Sequence, residues 1–264
     1  MIQIPMNSKG SIDRSSMLTI NNTRNQAPLS ARNITALNRP SAQNAAHAPA
    51  QSAVHTPPAS RSTAPASAAT AAALPRKKLP AFAKPVQKGQ KTPLYANSQV
   101  PGVIKACFGW NTSNPKCDAD VSAFLLGADG KVIGDSWFVF YGQTQSPDRS
   151  VLFAQSQGAD REIITADLSK LNKDVKKIVF VLTINEAFAN RLHFGMMEDA
   201  YVRILDARGA ELTSFQMTEY YSNVISMMIC EIYQYNGSWK FNAIGNGVAK
   251  DLAGLCALYG VEVV

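Results

Sequence analysis

Beyond residue 84 the chain reads as short apolar, β-branched and aromatic runs broken by turn residues. Residues 103–110, 121–126, 136–141, 150–154, 162–168 and 177–184 each have strand-like length and composition. The pattern returns at 201–205, 211–216, 223–233 and 238–244. Ala128-Asp129-Gly130, Ser146-Pro147-Asp148, Ala207-Arg208-Gly209 and Asn236-Gly237 supply turns between them, the last with the signature of a type I′ hairpin. About ten strands without intervening helices predict an all-β fold, an antiparallel β-sandwich of two sheets. One helix is predicted at the C-terminal end, where Val248, Leu252, Leu255, Cys256 and Tyr259 follow the 3.6-residue period and Gly260 supplies a stop. A second short helix or ordered loop is predicted over 186–196.

Residues 1–83 carry none of this patterning, and of the 22 aromatic residues only Phe82 lies there. Without large apolar side chains a segment cannot offset the roughly 1 to 2 kcal/mol of backbone entropy lost per ordered residue, so 1–83 is predicted to be a disordered tail before a domain spanning 84–264. Residues 41–73 are mostly Ala, Ser, Thr and Pro, the chemistry of a linker. The second reading is a targeting peptide, because the first forty residues are rich in Arg, Ser and Asn and poor in acids. There is no apolar core of a secretory signal, and no run approaches the ~18 apolar residues of a membrane span.

Charge sharpens the division. The net +7 is made of a tail with nine Lys/Arg against the single acid Asp13, and a domain with 17 bases against 18 acids. Arg76-Lys77-Lys78, then Lys84, Lys88 and Lys91, form a basic cluster at the junction. It reads first as a solubilising linker, and more sharply as a weak, salt-sensitive contact with an anionic membrane or nucleic acid, since Leu79 and Phe82 are its only apolar anchors.

Catalytic motifs are absent: His193 is the only histidine after residue 84, and no G-x-S-x-G, H-E-x-x-H, P-loop or G-x-G-x-x-G occurs. The expectation is a protein that is not an enzyme. Cys107, Cys117, Cys230 and Cys256 include no C-x-x-C pair and read as buried free thiols of a reducing compartment.

The candidate chemistry lies in carboxylates near strand starts. Asp118 and Asp120, at i and i+2 of an extended segment, point to one side about 7 Å apart. Asp160 and Glu162 repeat that spacing, and Glu186 follows a strand end. Taken by spacing alone these are solvated turn acids; brought together they would form an oxygen-rich pocket for Ca²⁺, which takes roughly 6 to 8 oxygens.

Several stretches together resemble the TerD family of tellurium-resistance and stress proteins. They include Phe108-Gly109-Trp110, 118–127, Asp129-Gly130-Lys131-Val132, Phe138-Val139-Phe140-Tyr141, Asp167-Leu168-Ser169-Lys170, Tyr201-Val202-Arg203-Ile204 and 236–241. The resemblance runs in order through 84–264. It implies a two-sheet β-sandwich, a non-enzymatic cytoplasmic role in stress or tellurite resistance beside other such proteins, and Ca²⁺ bound through an Asp-rich strand start and an acidic loop. Its metal residues would be Asp118, Asp120, Asp160, Glu162 and Glu186. Here Lys116 stands where the family's first Asp is expected, the acidic loop is shortened to 155–162, and Arg161 lies between its two acids. A cation so close can stabilise carboxylates without an ion, so the calcium site is expected to be weakened or lost. The alternatives are a small-ligand site of the cyclic-nucleotide kind, against which the missing phosphate-binding motif counts, and handling of tellurium oxyanions by thiols. A location peripheral to the inner membrane face would follow from the basic tail.

Overall fold

The computed structural model describes residues 76–95 and 102–263, so most of the tail lies outside the described residues. The described chain forms eleven strands in two antiparallel sheets. In order they are β1 (Lys91–Pro93), β2 (Val103–Thr112), β3 (Ala119–Leu126), β4 (Phe138–Val139), β5 (Val151–Gln155) and β6 (Glu162–Asp167). After β7 (Lys177–Ile184) comes the single helical turn α1 (Ala187–Asn190), then β8 (Met197–Asp206), β9 (Glu211–Gln216), β10 (Ser226–Tyr235), β11 (Ser238–Val248) and helix α2 (Leu252–Tyr259). One sheet runs β1-β11-β10-β7-β3-β4 and the other β5-β6-β2-β8-β9.

Strand alternation decides which side chains meet between the sheets. Ile104, Ala106, Phe108 and Trp110 of β2 face inward and meet Ala119, Val121, Ala123 and Leu125 of β3 in the main core. The even positions of β3 face out, where Phe124 and Leu126 pack with Phe138, Phe140, Val179 and Val181 under Leu252, Leu255 and Cys256 of α2. The six-stranded sheet therefore has an apolar outer face as well, covered by the helix. Asp251 caps α2 by accepting from the Gly254 N–H at 2.9 Å, and Gly260 ends it in the left-handed region at φ 78°. Asn236 and Gly237 both take positive φ, as a type I′ turn requires, and join β10 to β11.

The strand predicted over 136–141 is reduced to a 3-10 turn at Asp135–Trp137 and the two-residue β4. Beyond the predicted runs, β1 adds an eleventh strand at the edge of the larger sheet. The segment predicted over 186–196 divides into α1 and a 3-10 turn at Phe194–Met196.

Ordered contacts begin before residue 84. The Val86 N–H donates to Ser214 at 2.8 Å and the Ser214 N–H to Lys84 at 2.9 Å, so 84–86 lies along β9 at the edge of the smaller sheet. The chain then turns at Gly89, and β1 pairs with β11 at the edge of the larger one. One short segment thus covers an edge of each sheet, where unpaired N–H and C=O groups would otherwise invite pairing with another chain. No helix among the described residues is long and apolar enough to cross a membrane.

Candidate binding face

The five carboxylates expected to hold a cation occupy different places. Asp118 directly precedes β3 and Asp120 is its second residue; alternating with the core residues Cys117, Ala119 and Val121, both fall on the outer-face side of the six-stranded sheet, as their spacing predicts. The Asp118 carbonyl accepts from the Asn185 N–H at 2.8 Å, bringing the start of β3 beside the end of β7. Glu186 follows there in a left-handed conformation at φ 46°, with its carboxylate accepting from Asn190 Nδ2 at 3.3 Å.

Glu162 is fully buried between the sheets, opposite Phe108 of β2. Its Oε2 accepts from the Val121 N–H at 2.7 Å. Because β4 pairs with β3 only at Ala123 and Phe124, that N–H lies beyond the ladder, and the carboxylate serves as its acceptor. This is a structural acid joining the two sheets, unlike the solvated turn acid its spacing suggests.

Asp160 is a correction to the expected pairing with Glu162. It precedes β6, in a loop closed by the Ser156 N–H donating to the Arg161 carbonyl at 2.8 Å, so strand alternation does not extend to it. Its carboxylate lies on the outer face of the five-stranded sheet. There Oδ1 accepts from the Tyr201 hydroxyl at 3.0 Å and Arg203 Nε at 3.1 Å, and Oδ2 accepts from the other arm of the Arg203 guanidinium at 2.7 Å. The hydrogen bond to Asp160 is the main cause that raises the Arg203 pKa; burial raises that of the Tyr201 phenol, and the neighbouring Asp160 charge adds to it. Arg161 points its Nε at the Trp110 carbonyl at 2.6 Å.

Around this pair the face is built to hold a chain segment, and it holds residues 76–82. Asn111, only 4% exposed, accepts the Lys77 N–H on Oδ1 at 2.9 Å and donates Nδ2 to the Lys77 carbonyl at 2.9 Å. The second Nδ2 proton goes to Asp199 at 2.9 Å. Lys77 Nζ donates to the carbonyls of Gly158 at 2.7 Å and Asp160 at 2.8 Å. Burial pushes the Lys77 pKa down, with Arg161 adding to the shift and Asp160 opposing it. Arg76 forms ion pairs with Glu198 at 2.9 Å and Asp199 at 3.0 Å, and Phe82 sits edge-on to Tyr201 with ring centroids 5.3 Å apart.

Two local irregularities shape this face. The β2–β8 register shifts between Gly109 and Asn111, a bulge of the kind that re-aims side chains. Asp199 adopts φ 55°, a left-handed conformation uncommon outside Gly, Asn and Asp. Gly109 leaves room for Tyr201, since a Cβ there would lie 2.4 Å from three atoms of its phenol. Sequence reasoning assigned no role to Asn111, Glu198, Asp199, Tyr201 or Arg203. The one readable signal was Tyr201 and Arg203 at i and i+2, alternating with the apolar Val202 and Ile204, which puts a phenol and a cation together on the outward face.

A calcium site built from all five acids does not fit this arrangement. The Arg203 guanidinium holds Asp160, Glu162 faces the interior, and Asp118 and Asp120 face out from the opposite sheet. Among the described residues no three His, Cys, Asp or Glu side chains come together to hold a metal ion. The four thiols are buried and free. Burial is the main cause raising each: Cys107 and Cys256 to about 12, Cys117 to about 11, and Cys230 well above its ordinary value. Such thiols are poor nucleophiles for oxyanion chemistry.

The TerD domain family matches residues 83–259. The chain belongs to the TerD family. It is 40% identical over 163 residues to a tellurium resistance protein TerD of Alcaligenes sp, covering 58% of this chain and 85% of that one. It is 35% identical over 188 residues to general stress protein 16U of Bacillus subtilis (strain 168), covering 67% and 96%. A crystallised homologue of the telluride resistance protein from Streptomyces coelicolor A3(2) is similar at TM-score 0.46 and 16% identity, over 60% of this chain and 96% of that one. The TerD match begins at residue 83, so the docked residues 76–82 precede it and rest on a surface made by matched residues.

Proposed function

We propose that this TerD-family chain is a non-enzymatic stress-response or tellurite-resistance protein that works as a binding and assembly module, with a calcium site that is weakened or lost. The observation that carries the reading is the outer face of the five-stranded sheet. Its central acid, Asp160, is paired with the Arg203 cation and hydrogen-bonded by Tyr201, and the surface around it grips a chain segment through backbone and side-chain contacts. A face with its charges already satisfied is suited to recognition, and the raised thiol pKa values speak against redox handling of tellurium by the cysteines.

Membership in a family whose named members include tellurium resistance and general stress proteins supports the physiological half of the reading. Deleting the gene and restoring it under tellurite and other stresses tests that half; growth indistinguishable with and without it under every stress refutes it. Titrating Ca²⁺ into the full-length protein tests the other half. A weakened or lost site leaves the melting temperature unmoved at micromolar Ca²⁺, whereas saturable stabilisation in that range refutes it.

A further inference from the structure

We propose that the outer face of the five-stranded sheet is a recognition site for an extended peptide carrying Arg-Lys followed by an aromatic residue, and that residues 76–82 occupy it in cis and hold it closed to such a segment of a partner protein. The inference deepens the binding role above and rests on it for the choice of face, but its evidence is the geometry of the docked segment.

Three features separate this contact from a tail lying on a surface. Asn111 recognises backbone, because its amide takes both the N–H and the C=O of one residue, Lys77, in the manner of a strand neighbour. Backbone recognition of this kind is indifferent to the side chain at that position and transfers to any extended peptide. The ammonium of that residue then meets two carbonyl oxygens, of Gly158 and Asp160, in a subsite that suits lysine. Glu198 and Asp199 select a cation one residue before it, and Tyr201 receives an aromatic ring five residues after it.

The site also cannot stand open without loss. Asn111 is 4% exposed with the segment in place, and its amide makes three hydrogen bonds, one accepted by the oxygen and two donated by Nδ2. Removing residues 76–82 strips two of the three, so an equivalent backbone must replace them or water must enter. The occupant identifies the ligand chemistry: an extended basic segment ending in an aromatic. The same geometry engages Lys77 and Arg76 of the basic cluster that the sequence suggests, while Lys78, Lys84, Lys88 and Lys91 stay exposed.

The test uses the full-length protein and a fluorescein-labelled peptide of residues 76–84, followed by anisotropy. Arg76→Glu with Lys77→Glu sets the cis segment against the acidic rim while leaving the face intact. The double variant is expected to bind the peptide about tenfold more tightly than the wild type, the loss of cis competition corresponding to one decade in Kd. Adding Asn111→Ala to that background is expected to lose at least about tenfold, and a peptide with Phe82→Ala is expected to bind more weakly. Equal binding by wild type and double variant, or binding indifferent to Asn111→Ala, overturns the proposal. Hydrogen exchange on the wild type gives a reading independent of the variants. The Lys77 amide is expected to be protected and to lose protection when the peptide is raised to about millimolar, the effective concentration of a closely linked segment. A Lys77 amide that exchanges freely, or protection unchanged by the peptide, overturns it equally. None of these outcomes depends on tellurite or Ca²⁺, so failure here is distinguishable from failure of the functional reading.

Discussion

Replacing Asp160 with alanine should be among the more damaging single changes on the outer face. The carboxylate is 9% exposed and receives three hydrogen bonds, two of them from a guanidinium that is itself only 23% exposed. Alanine leaves the Arg203 cation and the Tyr201 hydroxyl without that partner, and losing one member of a buried pair costs about 3 to 5 kcal/mol. The exposed part of Arg203 regains some hydration, which lowers the expectation to about 3 kcal/mol. For a domain of this size that is a fall in melting temperature of roughly 6 to 12 °C. Asp160→Asn keeps the shape and an acceptor for Tyr201, and should cost less than half as much.

The assay is urea and thermal unfolding followed by the fluorescence of the buried Trp110, with a double-mutant cycle. Arg203→Met alone removes the cation but leaves the Asp160 carboxylate on a largely covered surface. The double variant Asp160→Ala/Arg203→Met removes both charges, so its destabilisation should fall well short of the sum of the singles, with a coupling of about 2 kcal/mol. Singles that add within about 0.5 kcal/mol, or an Asp160→Ala cost below about 0.5 kcal/mol, would show that the pair does not hold this face together.

Other residues make sharper or simpler tests. Gly109→Ala pushes a Cβ into a Tyr201 ring already fixed by Asp160 and Phe82, so it should destabilise by about 2 kcal/mol and raise exchange at the Lys77 amide. Glu162→Ala removes the acceptor of the buried Val121 N–H and should cost about 1 to 3 kcal/mol, with Glu162→Gln milder in urea denaturation because an oxygen remains. Burial pushes the Asp148 pKa up, but hydrogen bonds from Ser146, Ser150 and Asn172 outweigh it and hold the carboxyl below its ordinary value. Its contribution is therefore complete above the unfolded pKa of about 3.9 and is lost as pH falls through the lower folded value, so Asp148→Asn should lower stability near neutrality and flatten the stability-pH curve below about pH 4, the gap to the wild type closing as pH falls. A thiol reagent at pH 8 should modify the four cysteines only after unfolding; stoichiometric labelling of the folded protein within minutes would contradict their burial and raised pKa.

The sheets were legible because their information is periodic. Lys177–Ile184 and Glu211–Gln216 lie where the apolar runs put them, and the Asn236-Gly237 turn closes as its two residues dictate. Residues 136–141 misled because Phe138 and Phe140 are buried against α2 rather than paired along a full strand, and apolar content alone does not separate those two fates. The candidate site was less legible for the same reason. Asp120 sits on β3 and Asp118 directly before it, so their spacing gave their common side; Asp160 sits in a closed loop two residues before β6, so its spacing from Glu162 said nothing about direction. Arg203, Asn111 and Asp199 join Asp160 and Lys77 only through long-range pairing of β2 with β8, which a one-dimensional pattern does not contain.

That pairing also changes what the basic junction means. By sequence alone, Arg76-Lys77-Lys78 is an uninterrupted basic cluster, and its natural partner is a polyanion. In the fold Lys77 spends its ammonium on two carbonyls and its backbone on Asn111, while Arg76 spans Glu198 and Asp199. A phosphate-rich surface would have to compete with all of these, and only the exposed Arg76 contacts weaken appreciably with salt. The Asn111 contacts carry no net charge, so raising ionic strength would remove nonspecific attraction to a polyanion sooner than it would lift the segment from the sheet. Recognition of this segment is therefore set by backbone geometry first and by charge second, which is the order expected of a site that reads a protein strand.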